Sequence, residues 1–140
     1  MKTITLPPPE RQDAKSKRLD IYSRERIVSA FLSGIMEESG GLIEAGYDII
    51  NPVQTSAHQM DPETLRREFG RNITFWGDGC NIRTVLNCST PEEVCDYARR
   101  MIDIFASDGG FVFNQEHNIL PDVPPENILA MYRAVADARG

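Results

Sequence analysis

The sequence predicts an α/β fold with about three parallel strands and covering helices, and two observations carry that reading. Three short runs, YDIINP (47–52), ITFWGD (73–78) and GFVFN (110–114), are apolar rather than half-polar, as in strands covered on both faces. Each is followed by a segment with apolar residues at helical spacing and a helix-start signal. Alternation of that kind argues a parallel sheet with helices packed on it. The length of 140 residues suits one domain with one modest core.

The chain opens with MKTITLPPPERQDAKSKRLD, where Pro7, Pro8 and Pro9 remove backbone donors and the charged stretch after them has no apolar face. Residues 1–22 are expected to form a disordered basic arm, and residues 23–140 the folded domain. In SRERIVSAFLSGIMEE, Ile27, Val28, Phe31, Leu32, Ile35 and Met36 recur at helical spacing with Ser23 as a cap, which predicts a helix. Gly40 and Gly41 interrupt it, and LIEAG makes a last turn ending at Gly46. After the first strand, MDPETLRREFG has Asp61 as cap and Pro62 at the first helical position. After the second, STPEEVCDYARRMIDIFASDGG has Thr90 as cap, Pro91 as start and Glu93 completing a capping box. Its apolar stripe is Val94, Tyr97, Ala98, Met101, Ile102 and Phe105. Gly109 and Gly110 lead into the third strand. The final helix, ENILAMYRAVADAR, is entered through Pro124 and Pro125 and is expected to bury Ile128, Leu129, Met131, Tyr132 and Val135.

Charge and cysteines exclude several classes. The net charge of -6 argues against nucleic acid as a partner. Residues 1–26 carry seven basic and four acidic side chains, so the excess of +3 there leaves -9 for the rest. Cys80, Cys88 and Cys95 are spaced C-x7-C-x6-C, which matches neither a zinc knuckle nor a redox C-x-x-C. They read as buried or tolerated thiols. No run is long enough to span a membrane and no secretory signal opens the chain, so a cytoplasmic setting is the expectation.

In parallel α/β folds, ligands meet the carboxyl ends of the strands. That rule selects three loops. NPVQTSAHQMD supplies Asn51, Gln54, Ser56 and His58, either as a binding loop or as a solvated turn. WGDGCN offers Asp78 and Asn81, and its GDG is too short to count as a phosphate loop. NQEHNILPD carries His117 with Asn114, Glu116 and Asn118 beside it, and Asp122 as a possible cap for the last helix. An imidazole there can move a proton or hold an anion. An ordinary loop histidine satisfies the same spacing.

Three blocks, LIEAGYDIINPVQTSAHQMDPETLRREFGRNITFWGDG, STPEEV and GGFVFNQEHNILPDVPPENILAMYRAV, resemble in order and spacing the C-terminal part of the uroporphyrinogen decarboxylase superfamily over about residues 41–136. The resemblance implies a (β/α)8 barrel, of which this chain carries a partial TIM-barrel-like βα segment. It implies a lyase chemistry: removal of acetate carboxyl groups from uroporphyrinogen III to give coproporphyrinogen III, with no cofactor or metal, commonly in a homodimer. By position, His117 falls where the decarboxylases have a late histidine near the tetrapyrrole's carboxylates, and is the implied catalytic residue. Asn51, Gln54, Asp78 and Asn81 join it as the implied substrate-binding set. Related members are zinc-dependent methyltransferases acting on methylated corrinoid proteins. Their late cysteine ligand has no counterpart in NQEHN, and neither do their paired H-x-C ligands. Similar proteins carry Asp-Thr-Gln where this chain has Asn81, Ile82 and Arg83.

Decarboxylation with protonation of the leaving carbon needs anion-binding groups and an acid held in one pocket, and three loops supply only a few of these. The expectation is therefore a decarboxylase-like protein, incomplete and inactive alone, whose ligand is a tetrapyrrole or other small molecule. A corrinoid-dependent methyltransferase-like protein, with zinc, is one alternative. The other is a non-catalytic interaction module, because three parallel strands leave two open edges that suit pairing into a homo-oligomer.

Overall fold

The computed structural model describes residues 27–29, 43–44, 46–56 and 60–138. The expected arm at 1–22, the Ser23 cap, Phe31 to Met36, the Gly40–Gly41 break and His58 lie outside the described residues. Within them, four strands form one sheet: β1 (Ile27–Ser29), β2 (Ile49–Asn51), β3 (Thr74–Trp76) and β4 (Phe111–Val112). The three expected strands are all present. The fourth corrects the helix reading at residues 27–29, since Ile27, Val28 and Ser29 pair in parallel with Ile49, Ile50 and Asn51. A Val-Ile pair suits a strand as well as a helix face, and a neighbouring ladder outweighs a local period that a single segment cannot enforce.

All pairings are parallel, and the spatial order β1-β2-β3-β4 is the chain order. A doubly wound sheet reverses its order at a switch point; here no reversal occurs. Right-handed crossovers between successive neighbours place their helices on one face, which is the arrangement of a barrel wall. The helices are α1 (Pro62–Phe69), α2 (Pro91–Ala106) and α3 (Pro125–Asp137), with α2 packed against both others. Their starts follow the sequence signals. Asp61 accepts a 2.9 Å bond from the Thr64 N–H, and Thr90 and Glu93 form the reciprocal capping box.

Two apolar clusters fill the space between sheet and helices. One joins Ile50 and Phe75 of the sheet to Leu65 of α1 and to Met101 and Phe105 of α2. Phe105 lies against Phe75 and Phe111, with ring centroids 5.0 and 5.3 Å apart. Ile50, Phe75 and Phe111 therefore face the helices, and their neighbours Asn51, Trp76 and Val112 face the other side. The second cluster holds Cys80, Ile82 and Leu86 against Val94, Ala98, Ala130, Met131 and Ala134. Cys80 is buried, Cys95 half-buried and Cys88 exposed, all as free thiols.

The expected buried face of α3 needs correction. Leu129 and Tyr132 are 57% and 54% exposed, whereas Asn127, Ala130, Met131 and Ala134 are buried. The face turned to the core is offset by one residue, roughly 100°. Small side chains at Ala130 and Ala134 let α3 approach α2. The Asn127 amide also donates to the carbonyls of Leu86 and Ser89, at 2.9 and 2.8 Å, fixing that rotation.

Candidate functional site at the carboxyl ends of the strands

The loops that follow β2, β3 and β4 meet at one end of the sheet, and buried acids tie them together. Asp78, just past β3, is fully buried, and its Oδ2 accepts a 2.5 Å bond from the Thr55 N–H in the turn after β2. Glu116, past β4, is 8% exposed, and its Oε1 accepts a 2.9 Å bond from the Ser56 hydroxyl. Adjacent residues of one turn thus carry two carboxylates from two other strands. The chain around Asp78 is shaped for this closeness. Asp78 has φ 54, a left-handed conformation that aspartate tolerates better than most residues. A Cβ on Gly79 would collide with the Phe113 ring, which accounts for the glycine without a phosphate role.

Burial dominates the electrostatics. It raises the Asp78 carboxyl to about 6, helped by the nearby Glu116 charge and opposed by the hydrogen bonds from Thr55. The same burial, followed by the Asp78 and Glu116 charges, pushes the Cys80 thiol up to about 12. Tyr97 of α2 is likewise raised to about 12, first by burial and then by Asp78. Both stay protonated at neutral pH, so of these three groups Asp78 is the one closest to titrating there. Its Oδ1 is buried and has no hydrogen-bond partner among the described residues.

The other residues named from the sequence fall around this centre with unequal freedom. Asn51 is half-buried and donates from Nδ2 to the Trp76 carbonyl at 3.2 Å, bridging β2 to β3. Gln54 is exposed and donates to the Ser56 hydroxyl at 3.0 Å. Asn81 is buried, and its Oδ1 accepts from the backbone N–H groups of Arg83 and Thr84 at 3.0 and 2.9 Å. That side chain is occupied in capping the single π-helical turn Ile82–Leu86. His117 is exposed, and its Nδ1 accepts from the Asn118 N–H at 2.8 Å. Asp122 does not cap α3: it accepts from the Asn87 amide at 2.8 Å, and the cap position of α3 is Pro124, with no side-chain cap.

Ser56 and Glu116 are named from the sequence only as members of their loops, without a site role, and Thr55 is not named at all. Glu116 had a signal, its position on the loop beside His117. Its partner Ser56 is 60 residues away, a distance no local pattern crosses. No group of three or more His, Cys, Asp or Glu suited to a metal occurs among the described residues.

A comparison with known families matches residues 21–138 to the family described as "Uroporphyrinogen decarboxylase (URO-D)". The chain belongs to the uroporphyrinogen decarboxylase family. The match extends beyond the 41–136 stretch on which the sequence resemblance rests and takes in β1. Among curated uroporphyrinogen decarboxylases, that of Magnetococcus marinus is 29% identical over 114 residues, covering 81% of this chain and 30% of the relative. That of Methylococcus capsulatus is 27% identical over 124 residues, covering 85% and 32%. A vertebrate relative, from Danio rerio, is 29% identical over 94 residues, covering 67% and 23%. The chain thus spans about a third or less of the length of these decarboxylases.

Proposed function

We propose that this chain supplies one side of a porphyrinogen-decarboxylating pocket, built from the loops after β2, β3 and β4. The observation that carries the reading is the convergence of Asp78 and Glu116 on the Thr55–Ser56 turn, beside the loop of His117. A carboxyl that titrates near 6 can hold a proton for return to a carbon that has lost carbon dioxide. An exposed imidazole at the rim suits a substrate carboxylate or a second proton transfer. In this reading His117 is the catalytic residue, Asp78 an acid behind it, and Gln54 a substrate contact. Asn51 and Asn81 act as positioning residues, since their side chains already hold backbone groups. The ligand is a tetrapyrrole polycarboxylate, and no cofactor is assigned. The relatives named above are all decarboxylases, which favours this reading over zinc-dependent methyl transfer. No described helix is long and apolar enough to cross a membrane.

Trp76, the only tryptophan, lies at the end of β3 and reports on this mouth. Titration of the purified chain with uroporphyrin III should quench its fluorescence saturably. His117→Ala should weaken that binding roughly tenfold, the scale of one charged hydrogen bond. Quenching that never saturates, or that is indifferent to His117, would remove the basis of the reading. Turnover of uroporphyrinogen III needs groups beyond these three loops and should be undetectable with the monomeric chain.

A further inference from the structure

We propose that the bonds from the Thr55–Ser56 turn to Asp78 and Glu116 form a proton-operated latch, shut while Asp78 holds a proton and loosened when it ionises. The inference deepens the reading above by naming a regulation of the same mouth, and its bearing on ligand binding rests on that reading. The latch itself is a property of the turn and needs no ligand to be seen.

Residues 54–56 are the movable piece. Val53, just before them, is buried, and its N–H donates to the Trp76 carbonyl at 3.1 Å, which fixes the chain to β3. Beyond that anchor the Thr55 N–H goes to Asp78 and the Ser56 hydroxyl to Glu116. The Tyr97 hydroxyl, reaching from α2, meets the Thr55 side chain. Gln54 donates to Ser56, inside the turn itself. Gln54 and Ser56 are exposed, so little apolar burial holds this piece in place. Two acids from two other strands are its main fastening.

That fastening is poorly compensated. None of the ion pairs among the described residues involves Asp78 or Glu116. Asp78 is fully buried, and its Oδ1 has no hydrogen-bond partner among the described residues. An unpaired buried oxygen costs far more on a carboxylate than on a neutral carboxyl. The titratable groups that face Asp78 are Glu116 from the loop after β4, Cys80 from its own loop and Tyr97 from α2. Cys80 and Tyr97, pushed up to about 12, stay neutral and cannot offset a charge, and Glu116 adds to it. Ionisation of Asp78 is relieved when the turn swings out and water reaches Oδ1. Gln54 then leaves its place at the mouth. Burial lifts the Asp78 carboxyl from 3.8 to about 6 while the turn is shut, and a hydrated carboxyl returns toward 3.8. By linkage, the open-to-shut ratio rises by up to about a hundredfold between about pH 4 and about pH 7.

Amide hydrogen exchange and NMR of the 140-residue chain test the latch. The protection factor of the Thr55 N–H should fall at least about tenfold from about pH 5 to about pH 8, while that of Val53 stays level. The Thr55 amide resonance should follow the same step, with a midpoint of about 5 to 6. Asp78→Asn should abolish the step and keep the turn shut throughout, because an amide oxygen still accepts from Thr55 and never ionises. Glu116→Gln should move the midpoint down by removing the second charge. His117→Ala should leave the step in place, since that ring is exposed and bonded to its neighbour Asn118. Equal protection of Thr55 at both ends of the range overturns the proposal. A step that survives Asp78→Asn, or vanishes with His117→Ala, does the same. Should Asp78→Asn fail to fold, Glu116→Gln decides, and an unmoved midpoint overturns the latch. Porphyrin takes no part in these readouts. A step without porphyrin binding removes the pocket reading and keeps the latch, and binding without the step does the reverse.

Discussion

Asp78 shows how a single residue can be marked by sequence and yet defined by its surroundings. Its place past a strand end selected it as a candidate, but nothing local announces that it is fully buried or that its partner Thr55 lies 23 residues earlier. The consequence is measurable. Its carboxyl is raised from the ordinary 3.8 to about 6, chiefly by burial, so the folded state holds this proton more tightly than the unfolded chain. Stability from this group is therefore full below about 4 and is lost as pH rises through about 6. The difference corresponds to about 3 kcal/mol at pH 7. Asparagine tolerates the same left-handed backbone and keeps an oxygen for the Thr55 N–H. Asp78→Asn is accordingly expected to stabilise the protein by up to about 3 kcal/mol at pH 7 and by little at pH 4, read by urea unfolding at both. Equal effects at the two pH values would show that burial of charge is not the cause.

At the scale of elements, helix starts were legible and helix faces less so. Asp61, Thr90 and Glu93 act where the sequence places them, because capping involves residues within one turn. The face of α3 was misread because its stripe is wide enough to be buried in two ways, and the choice was made by α2 and by the carbonyls of Leu86 and Ser89. Asn127 is the residue that locks it. Asn127→Ala should cost about 2 kcal/mol, by leaving those two carbonyls without their donor, and should lower the thermal midpoint without changing helix content. A neutral result would mean that Ala130 and Ala134 alone set the rotation. β1 teaches the complementary lesson: IVS carries no signal that separates strand from helix, and the pairing with β2 supplies the difference.

For the whole molecule, the sheet is ordered from the inside outward. β2 and β3 have strand neighbours on both sides, whereas β1 and β4 end the described sheet. Hydrogen exchange should therefore find the amides of Ile50 and Phe75 slowest. The amides of Phe111 and Phe113, in the strand that ends the described sheet, should exchange faster. Protection of Phe111 equal to that of Phe75 would overturn this order. By itself the sequence determined the α/β class, three strands in parallel, the helix starts and the family, because each of these rests on short-range patterns or on blocks preserved in order. Only the tertiary structure decided that β1 is a strand, which side of α3 is buried, and that Asp78 and Glu116 share one turn. Those outcomes depend on partners tens of residues apart, and it is their packing, not any local preference, that supplies the free energy to choose.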